Sequence, residues 1–231
     1  MTPIRRVWIT RAEPGAARTA DRLTALGFTP LVAPLLTLAP LPGALDAAPS
    51  PDAVAVLALT SPNGVEAFAP LIPRFRDHPV FAVGDATAEA ARAAGFANVC
   101  SASGDIHALA RLIAAEAPPG PLLAPGAREP AGDLPALLPD RRVQRLPVYA
   151  AFETHAPAPE PFDAVMLHSP RATRALTADL PRAASSGRIA ICISEAAATP
   201  LHPFDFAEIR IAAAPDEPAM LSALGKPAAP V

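Results

Sequence analysis

Residues 53–95 read AVAVLALTSPNGVEAFAPLIPRFRDHPVFAVGDATAEAARAAG. The stretch opens on an unbroken apolar run, Val54 to Leu59, which ends in Thr60-Ser61-Pro62-Asn63-Gly64 and passes into a helical pattern. A second run, Val80 to Val83, ends at Gly84 and leads into a helix through Ala94. Short apolar runs bounded by turn residues mark strands buried on both faces, and strands alternating with helices mark a parallel sheet with helices on its faces.

The same rhythm extends outward. Val7-Trp8-Ile9-Thr10 is followed by a helical pattern from Pro14 to Leu26, which Gly27 stops. Leu23 and Leu26 fall at helical spacing, and Arg18 and Arg22 suit the wet face. Pro30 to Pro34 makes the next strand. Pro121 to Ala124 precedes Pro125-Gly126 and a helix, Val143 to Phe152 reads as a long strand, and Asp163 to Leu167 runs into His168-Ser169-Pro170 and a helix. Arg188 to Ile193 leads to Ser194 and a helix, and Ile209 to Ala213 closes the set. The carboxy-terminal GKPAAPV, residues 225–231, is expected to be a frayed tail. The fold class is α/β, with parallel sheets flanked by helices.

The quoted stretch also has a counterpart. Residues 164–202 repeat its order of elements, with His168-Ser169-Pro170 standing for Thr60-Ser61-Pro62 and Ser194 for Gly84. Ser61 to Gly84 spans 23 positions and Ser169 to Ser194 spans 25. Two such units suggest two lobes of one architecture.

Composition narrows the function. With 231 residues, 51% of them hydrophobic and 18% charged, the chain can bury a real core in one large domain or two small ones. A formal net charge of -3 argues against a general nucleic-acid binder. The apolar stretch before Arg11 is too short for a signal-peptide core, and no apolar run reaches membrane-spanning length, so the expected location is the cytoplasm. Cys100 and Cys192 match no metal or redox spacing and read as buried or incidental thiols.

In open parallel sheets, ligands bind beyond the carboxyl ends of the strands, where helix amino termini present backbone N–H groups. Small or hydroxyl residues stand at every such point: Thr10-Arg11, Thr60-Ser61, Gly84-Asp85, Gly126, Ser169 and Ser194. Taken singly, each hydroxyl reads as a helix cap. As a set they favour a polyanionic ligand held by backbone groups. No dinucleotide fingerprint follows Val7 to Thr10, and the chain has no phosphate loop, no nucleophile elbow and no H-E-x-x-H. The five histidines, His78, His107, His155, His168 and His202, are scattered and read as surface or internally satisfied residues, so no metal site and no cofactor are expected. Tyr149, the only tyrosine, lies in RLPVYAAFE at 145–153 and reads as an aromatic packing a strand.

Taken in order, several stretches resemble the uroporphyrinogen-III synthase family. They are WITRAEPGAARTADRLTALGFTPLVAPLLTLAPL at 8–41, LALTSPNGVEAFA at 57–69, VFAVGDATAEAARAAGF at 80–96 and SGDIHALARLI at 103–113, followed by LLAPGAREPAGDLPALL at 122–138, VQRLPVYAAFE at 143–153, AVMLHSPRATRAL at 164–176 and ICISEAAATPL at 191–201. The resemblance implies one lobe made of residues 1–35 and 154–231, and a second made of residues 39–147. Linker strands near Leu35–Pro40 and Pro147–Glu153 would join them, with the active site in the interlobe cleft and Tyr149 on the hinge.

The family's reaction dehydrates hydroxymethylbilane and cyclises it to uroporphyrinogen III with ring D inverted. Loss of the terminal hydroxyl gives an azafulvene, which must close onto the substituted carbon of ring D through a spiro intermediate. Positioning carries most of that work, in keeping with a site that needs no cofactor. By its match to the family's strand, Tyr149 is assigned as the donor that helps the hydroxyl leave as water; a phenol is protonated at neutral pH. The substrate's carboxylates are assigned to backbone groups and small residues at Thr10, Gly84 and Gly126, to hydroxyls at Thr60, Ser61, Thr87, Ser169 and Ser194, and to forks at Arg11, Arg128 and Arg171.

One departure stands out: the second copy reads Ile193-Ser194-Glu195-Ala196-Ala197-Ala198, without the threonine that the first copy keeps at Thr87. The partners implied are a linear tetrapyrrole, handed over by the preceding pathway enzyme, with no nucleic acid and no membrane; a monomer is expected. Two other classes remain open: a two-lobed binding module that closes on an anionic ligand without turnover, and a nucleotide-dependent α/β enzyme, which the missing phosphate loop weakens.

Overall fold

A computed structural model describes residues 4–228 of the protein. The chain opens with β1 (Arg6–Ile9), α1 (Gly15–Ala25), β2 (Thr29–Val32) and β3 (Leu36–Pro40). Its middle carries β4 (Val56–Leu59), α2 (Pro62–Phe68), α3 (Ile72–Phe75), β5 (Pro79–Ala82), α4 (Asp85–Ala93) and β6 (Asn98–Ser101). There follow α5 (Ile106–Glu116), β7 (Leu122–Ala127), α6 (Leu134–Leu137) and β8 (Val143–Glu153). The last third adds β9 (Ala164–Leu167), α7 (Pro170–Asp179), β10 (Ile189–Cys192), α8 (Glu195–Ala198), β11 (Glu208–Ile211) and α9 (Glu217–Leu224). The chain divides into two compact units, residues 4–37 with 151–228 and residues 38–150, with the divisions inside β3 and β8.

The first unit holds a five-stranded sheet in the order β11-β10-β9-β1-β2, every neighbouring pair parallel. The other sheet runs β3-β8-β7-β4-β5-β6, parallel from β8 to β6. Set side by side, β8-β7-β4-β5-β6 and β2-β1-β9-β10-β11 have the same order. The copies differ only in where the chain enters: the first unit takes its last two positions from the amino-terminal end.

Both faces of each sheet are apolar, because a parallel sheet is covered on both sides. In β4, Leu57 and Leu59 join one cluster with Phe68, Phe75 and Val80, while Val56 and Ala58 join another with Phe81, Leu109 and Ile113. In the first unit Val7, Ile9 and Met166 pack on one face and Trp8, Val165 and Leu167 on the other. Trp8 fills its side edge-on to Phe162, centroids 5.2 Å apart, and donates Nε1–H to the Ala33 carbonyl at 2.7 Å.

Several sequence expectations need correction. The strand at Pro121 to Ala124 does not give way to a helix at Pro125-Gly126: β7 continues to Ala127, and the helix that follows, α6, is late and only four residues long. Beyond Leu123 the β7 register is with β8 alone, so Pro125 can lack an N–H without breaking a ladder on both sides. Leu26 lies past the end of α1 and is exposed, whereas Leu23 is buried. The strand β6 and the helix α9 are additions. The expected carboxy-terminal fray fails where it can be judged, since Ala228 donates its N–H to the Ile4 carbonyl at 2.8 Å; residues 229–231 lie outside the described ones. Among the described residues no helix is long and apolar enough to cross a membrane.

Leu57 is fully buried in a central strand, so Leu57→Ala is expected to lower stability by about 2–5 kcal/mol. Leu26→Ala, at an exposed site, should stay within about 0.5 kcal/mol of the parent. Urea denaturation of the two variants checks both values.

Candidate functional site

In the second unit, Thr60, Ser61, Gly126 and Tyr149 come together at the carboxyl ends of β4 and β7, whereas Gly84 and Thr87 stand at the start of α4, after β5. Ser61 caps α2, its Oγ accepting the Gly64 N–H at 3.1 Å. Gly64 eases this placement: a Cβ there would lie 3.2 Å from the Pro125 carbonyl oxygen, so a side chain would push β7 back by a few tenths of an ångström. Thr60 borders the same spot, since a Cβ on Gly126 would meet its Oγ1 at 3.6 Å.

On β8, Tyr149 pairs with Ala127 just after a register shift at Gly126/Ala127. Such an irregularity re-aims the side chains beyond it. The Tyr149 carbonyl accepts the Arg128 N–H at 2.8 Å, and its phenol oxygen lies 2.8 Å from Ser61 Oγ. Either hydroxyl can donate in that contact. Tyr149 is therefore more than a packing aromatic, because its one polar atom is held by a helix cap. Arg128 is exposed, and its carbonyl accepts from Arg145 Nη2 at 3.0 Å. Gly84 precedes α4 in extended backbone, and Thr87 sits on the inner side of that helix, 3% exposed.

The first unit repeats the arrangement. Ser169 Oγ caps α7 by accepting the Ala172 N–H at 3.1 Å, and Ser194 Oγ caps α8 by accepting the Ala197 N–H at 3.3 Å. Residues 191–200 follow the same sequence of buried and exposed positions as residues 81–90. Ala197 thus occupies the same buried place as Thr87, and the missing second-copy hydroxyl is absent from a core position rather than from an exposed one. Glu195 points to solvent.

Other assignments fare differently. Thr10 is fully buried and its hydroxyl donates to the Met166 carbonyl at 2.6 Å, so its side chain locks β1 to β9 instead of meeting a ligand. Arg11 is already engaged: its guanidinium lies over Gly15, Nη1 is 3.2 Å from Glu217 Oε2, and the same carboxylate oxygen receives Arg22 Nη1 at 2.9 Å. Thr19 donates its hydroxyl to Glu217 Oε1 at 2.5 Å. Arg171 Nη2 donates to the Ala151 carbonyl at 2.7 Å. Cys192 is buried, and burial together with nearby Glu195 pushes its thiol up to about 12, so it is protonated and inert; Cys100 is exposed.

His168 departs most from expectation. It is neither a surface nor a fully satisfied residue: both ring nitrogens are shut off from solvent, and neither makes a full hydrogen bond, the Met166 backbone acting on the ring only weakly. Burial, and then the positive field of Arg11, pushes its pKa down to about 4, against weaker opposing pulls from Glu217 and the Met166 backbone. An unsatisfied buried donor costs about 1–3 kcal/mol. Two signals for this corner stood in the sequence. His168 replaces Thr60 in the repeat, and Asp216-Glu217-Pro218 before Met220 and Leu224 is a helix start that leads into Gly225.

A pair of parallel α/β units, each with capped helices at the carboxyl edge of its sheet, defines the fold class of this protein. The chain belongs to the uroporphyrinogen-III synthase family: the family model described as Uroporphyrinogen-III synthase HemD matches residues 17–222. No curated protein matches. A mutant uroporphyrinogen III synthase from the extremely thermophilic bacterium Thermus thermophilus is similar in fold, with TM-score 0.52 and 19% identity over 94% of this chain and 96% of that one. The wild-type form of that enzyme aligns at TM-score 0.46 and 20% identity, covering 95% of each chain. Only the first is close enough in backbone to bear on the fold.

The lowered pKa of His168 has a stability consequence. Between pH 6.5 and 4 the unfolded chain takes up a proton that the folded chain refuses, so stability falls as pH falls through that window. The loss is expected to be about 3 kcal/mol and to level off for this group below pH 4. Urea titrations at stepped pH, with His168 followed by NMR, measure both.

Proposed function

We propose that the protein is a uroporphyrinogen-III synthase, a lyase that dehydrates hydroxymethylbilane and closes it to uroporphyrinogen III with ring D inverted. Family membership across residues 17–222 carries this reading. The hydroxyl pair of Tyr149 and Ser61 supports the assignment of a proton donor.

In this reading the substrate's carboxylates lie at the carboxyl edges of the sheets, taken up by backbone N–H groups at the starts of α2, α4, α7 and α8. Thr60, Ser61, Gly84, Gly126, Ser169 and Ser194 let the ligand approach those groups closely. The Tyr149 phenol donates its proton to the terminal hydroxyl as the C–O bond breaks, and water leaves. Ser61 Oγ, fixed by the Gly64 N–H, holds the phenol in line. The azafulvene carbon joins the substituted carbon of ring D, and the spiro intermediate fragments and recloses at the free position. The proton that ring D loses on closing balances the one Tyr149 gave, so water is the only by-product. Holding the azafulvene away from the free ring position is the enzyme's main contribution, because unassisted closure there yields the type I isomer. The substrate is handed over by the preceding pathway enzyme, and the protein works as a monomer in the cytoplasm without a cofactor.

The test supplies freshly generated hydroxymethylbilane and separates the oxidised isomers. Predominantly type III product is expected; type I product alone, as in a protein-free control, would leave a binding protein of the same fold. Tyr149→Phe is expected to lower turnover about 10²–10⁴-fold with the fold retained, as checked by circular dichroism. Ser61→Ala, which removes the phenol's partner and a cap, should lower turnover less and stability by about 1 kcal/mol.

A further inference from the structure

His168 stands where the repeat puts Thr60, one residue before a serine that caps a helix. From β4 into α2 and from β9 into α7, the two copies match closely in burial, and both place this residue at the strand end, partly exposed. The cap backbones agree as well, φ −162° and ψ 153° at Ser61 against φ −165° and ψ 154° at Ser169. A large imidazole has thus replaced a small hydroxyl one residue before caps of matching backbone.

Neither ring nitrogen makes a full hydrogen bond inside the fold: both are buried, and the Met166 backbone acts on the ring only weakly. Buried polar groups are almost always satisfied, and one that is not calls for a reason. The charged groups acting on it are Arg11 and Glu217, and Glu217 is shared by Arg11 and Arg22, so this corner carries one more positive than negative charge. An N–H donor beside a net positive charge matches an anion. The residue keeps part of its surface exposed at the end of β9, so donation to a ligand requires the ring to turn a nitrogen outward.

We propose that His168 is a substrate-binding residue of the first unit, which donates a ring N–H to a carboxylate of the ligand and finds in that contact the partner it lacks in the free protein. The assignment rests on the reading of the ligand as a carboxylate-bearing tetrapyrrole. It adds a side-chain contact, peculiar to the second copy, to the backbone groups at that edge. In the free protein the ring is held in a costly state that the ligand relieves, so stability and affinity should respond to its removal in opposite directions.

The experiment compares wild type, His168→Phe and His168→Thr, with the oxidised product, uroporphyrin III, as a stable octacarboxylate probe. His168→Phe keeps the ring's bulk and removes its unsatisfied nitrogens. It is expected to melt higher than wild type and to bind the porphyrin about tenfold or more weakly. His168→Thr, which restores the first copy's hydroxyl, should recover much of the affinity. Unchanged affinity in His168→Phe overturns the assignment. So does a His168→Phe protein that melts lower or fails to fold, because the ring would then serve the structure. Porphyrin binding does not need turnover, which separates the two readings: a wild type that binds the probe but makes only type I product ends the proposed activity and leaves His168 in place. A wild type that does not bind the probe overturns the His168 assignment, while type III product would still uphold the proposed activity.

Discussion

Burial of a parallel sheet on both faces is the constraint from which the rest of this protein follows. Val56 to Leu59, Ala164 to Leu167 and Ile189 to Cys192 are buried at every position, so alternate side chains feed clusters on opposite faces. Strands of this kind have no face left for chemistry. Polar groups can gather only at the strand ends, and the helix starts found there bring unpaired N–H groups with them. Ser61, Ser169 and Ser194 each cap a helix at an edge where a ligand can approach, and both roles follow from where they stand.

The repeated architecture turns each difference between the copies into information. Thr87 and Ala197 differ in a hydroxyl but share a buried position, so that exchange touches packing. Gly64 and Ala172 differ because a side chain at Gly64 would press on the Pro125 carbonyl. Thr60 and His168 differ one residue before matching caps, and there the exchange leaves two buried nitrogens without a full hydrogen bond. The Tyr149–Ser61 contact also gives the second unit a hydroxyl pair fixed by a cap. The two edges are alike in plan and unlike in chemistry.

How far the sequence could be read depends on the range of the interaction concerned. The buried strands were legible because an unbroken apolar run is a local signal. The edge strand β6, Asn98–Ser101, was not, since it mixes polar with apolar residues and is paired on one side only. The helix caps at Ser61, Ser169 and Ser194 were legible as hydroxyl residues at strand ends, the first two in Ser-Pro pairs. The extension of β7 through Pro125-Gly126 was not, because proline is tolerated there only through a pairing pattern that the sequence does not display. Long-range partners were the least accessible: Tyr149 meets Ser61 across 88 positions, and Arg11 meets Glu217 across 206. Thr10 looked like a strand-end ligand group and proved to be a bolt between β1 and β9, a distinction set wholly by the strand beside it.

The chain's path has a consequence for its birth on the ribosome. The six-stranded sheet draws all of its strands from one continuous stretch, residues 36–153, and can be completed as soon as that stretch has emerged. The first unit cannot, because β1 lies between β2 and β9, and β9 begins only at Ala164. Its amino-terminal strands must wait through most of translation with one edge open, and loop closure over that separation makes their pairing the slow step. The newborn protein is therefore lopsided, half finished and half waiting, with Val7, Trp8 and Ile9 the residues most in need of protection in the interval.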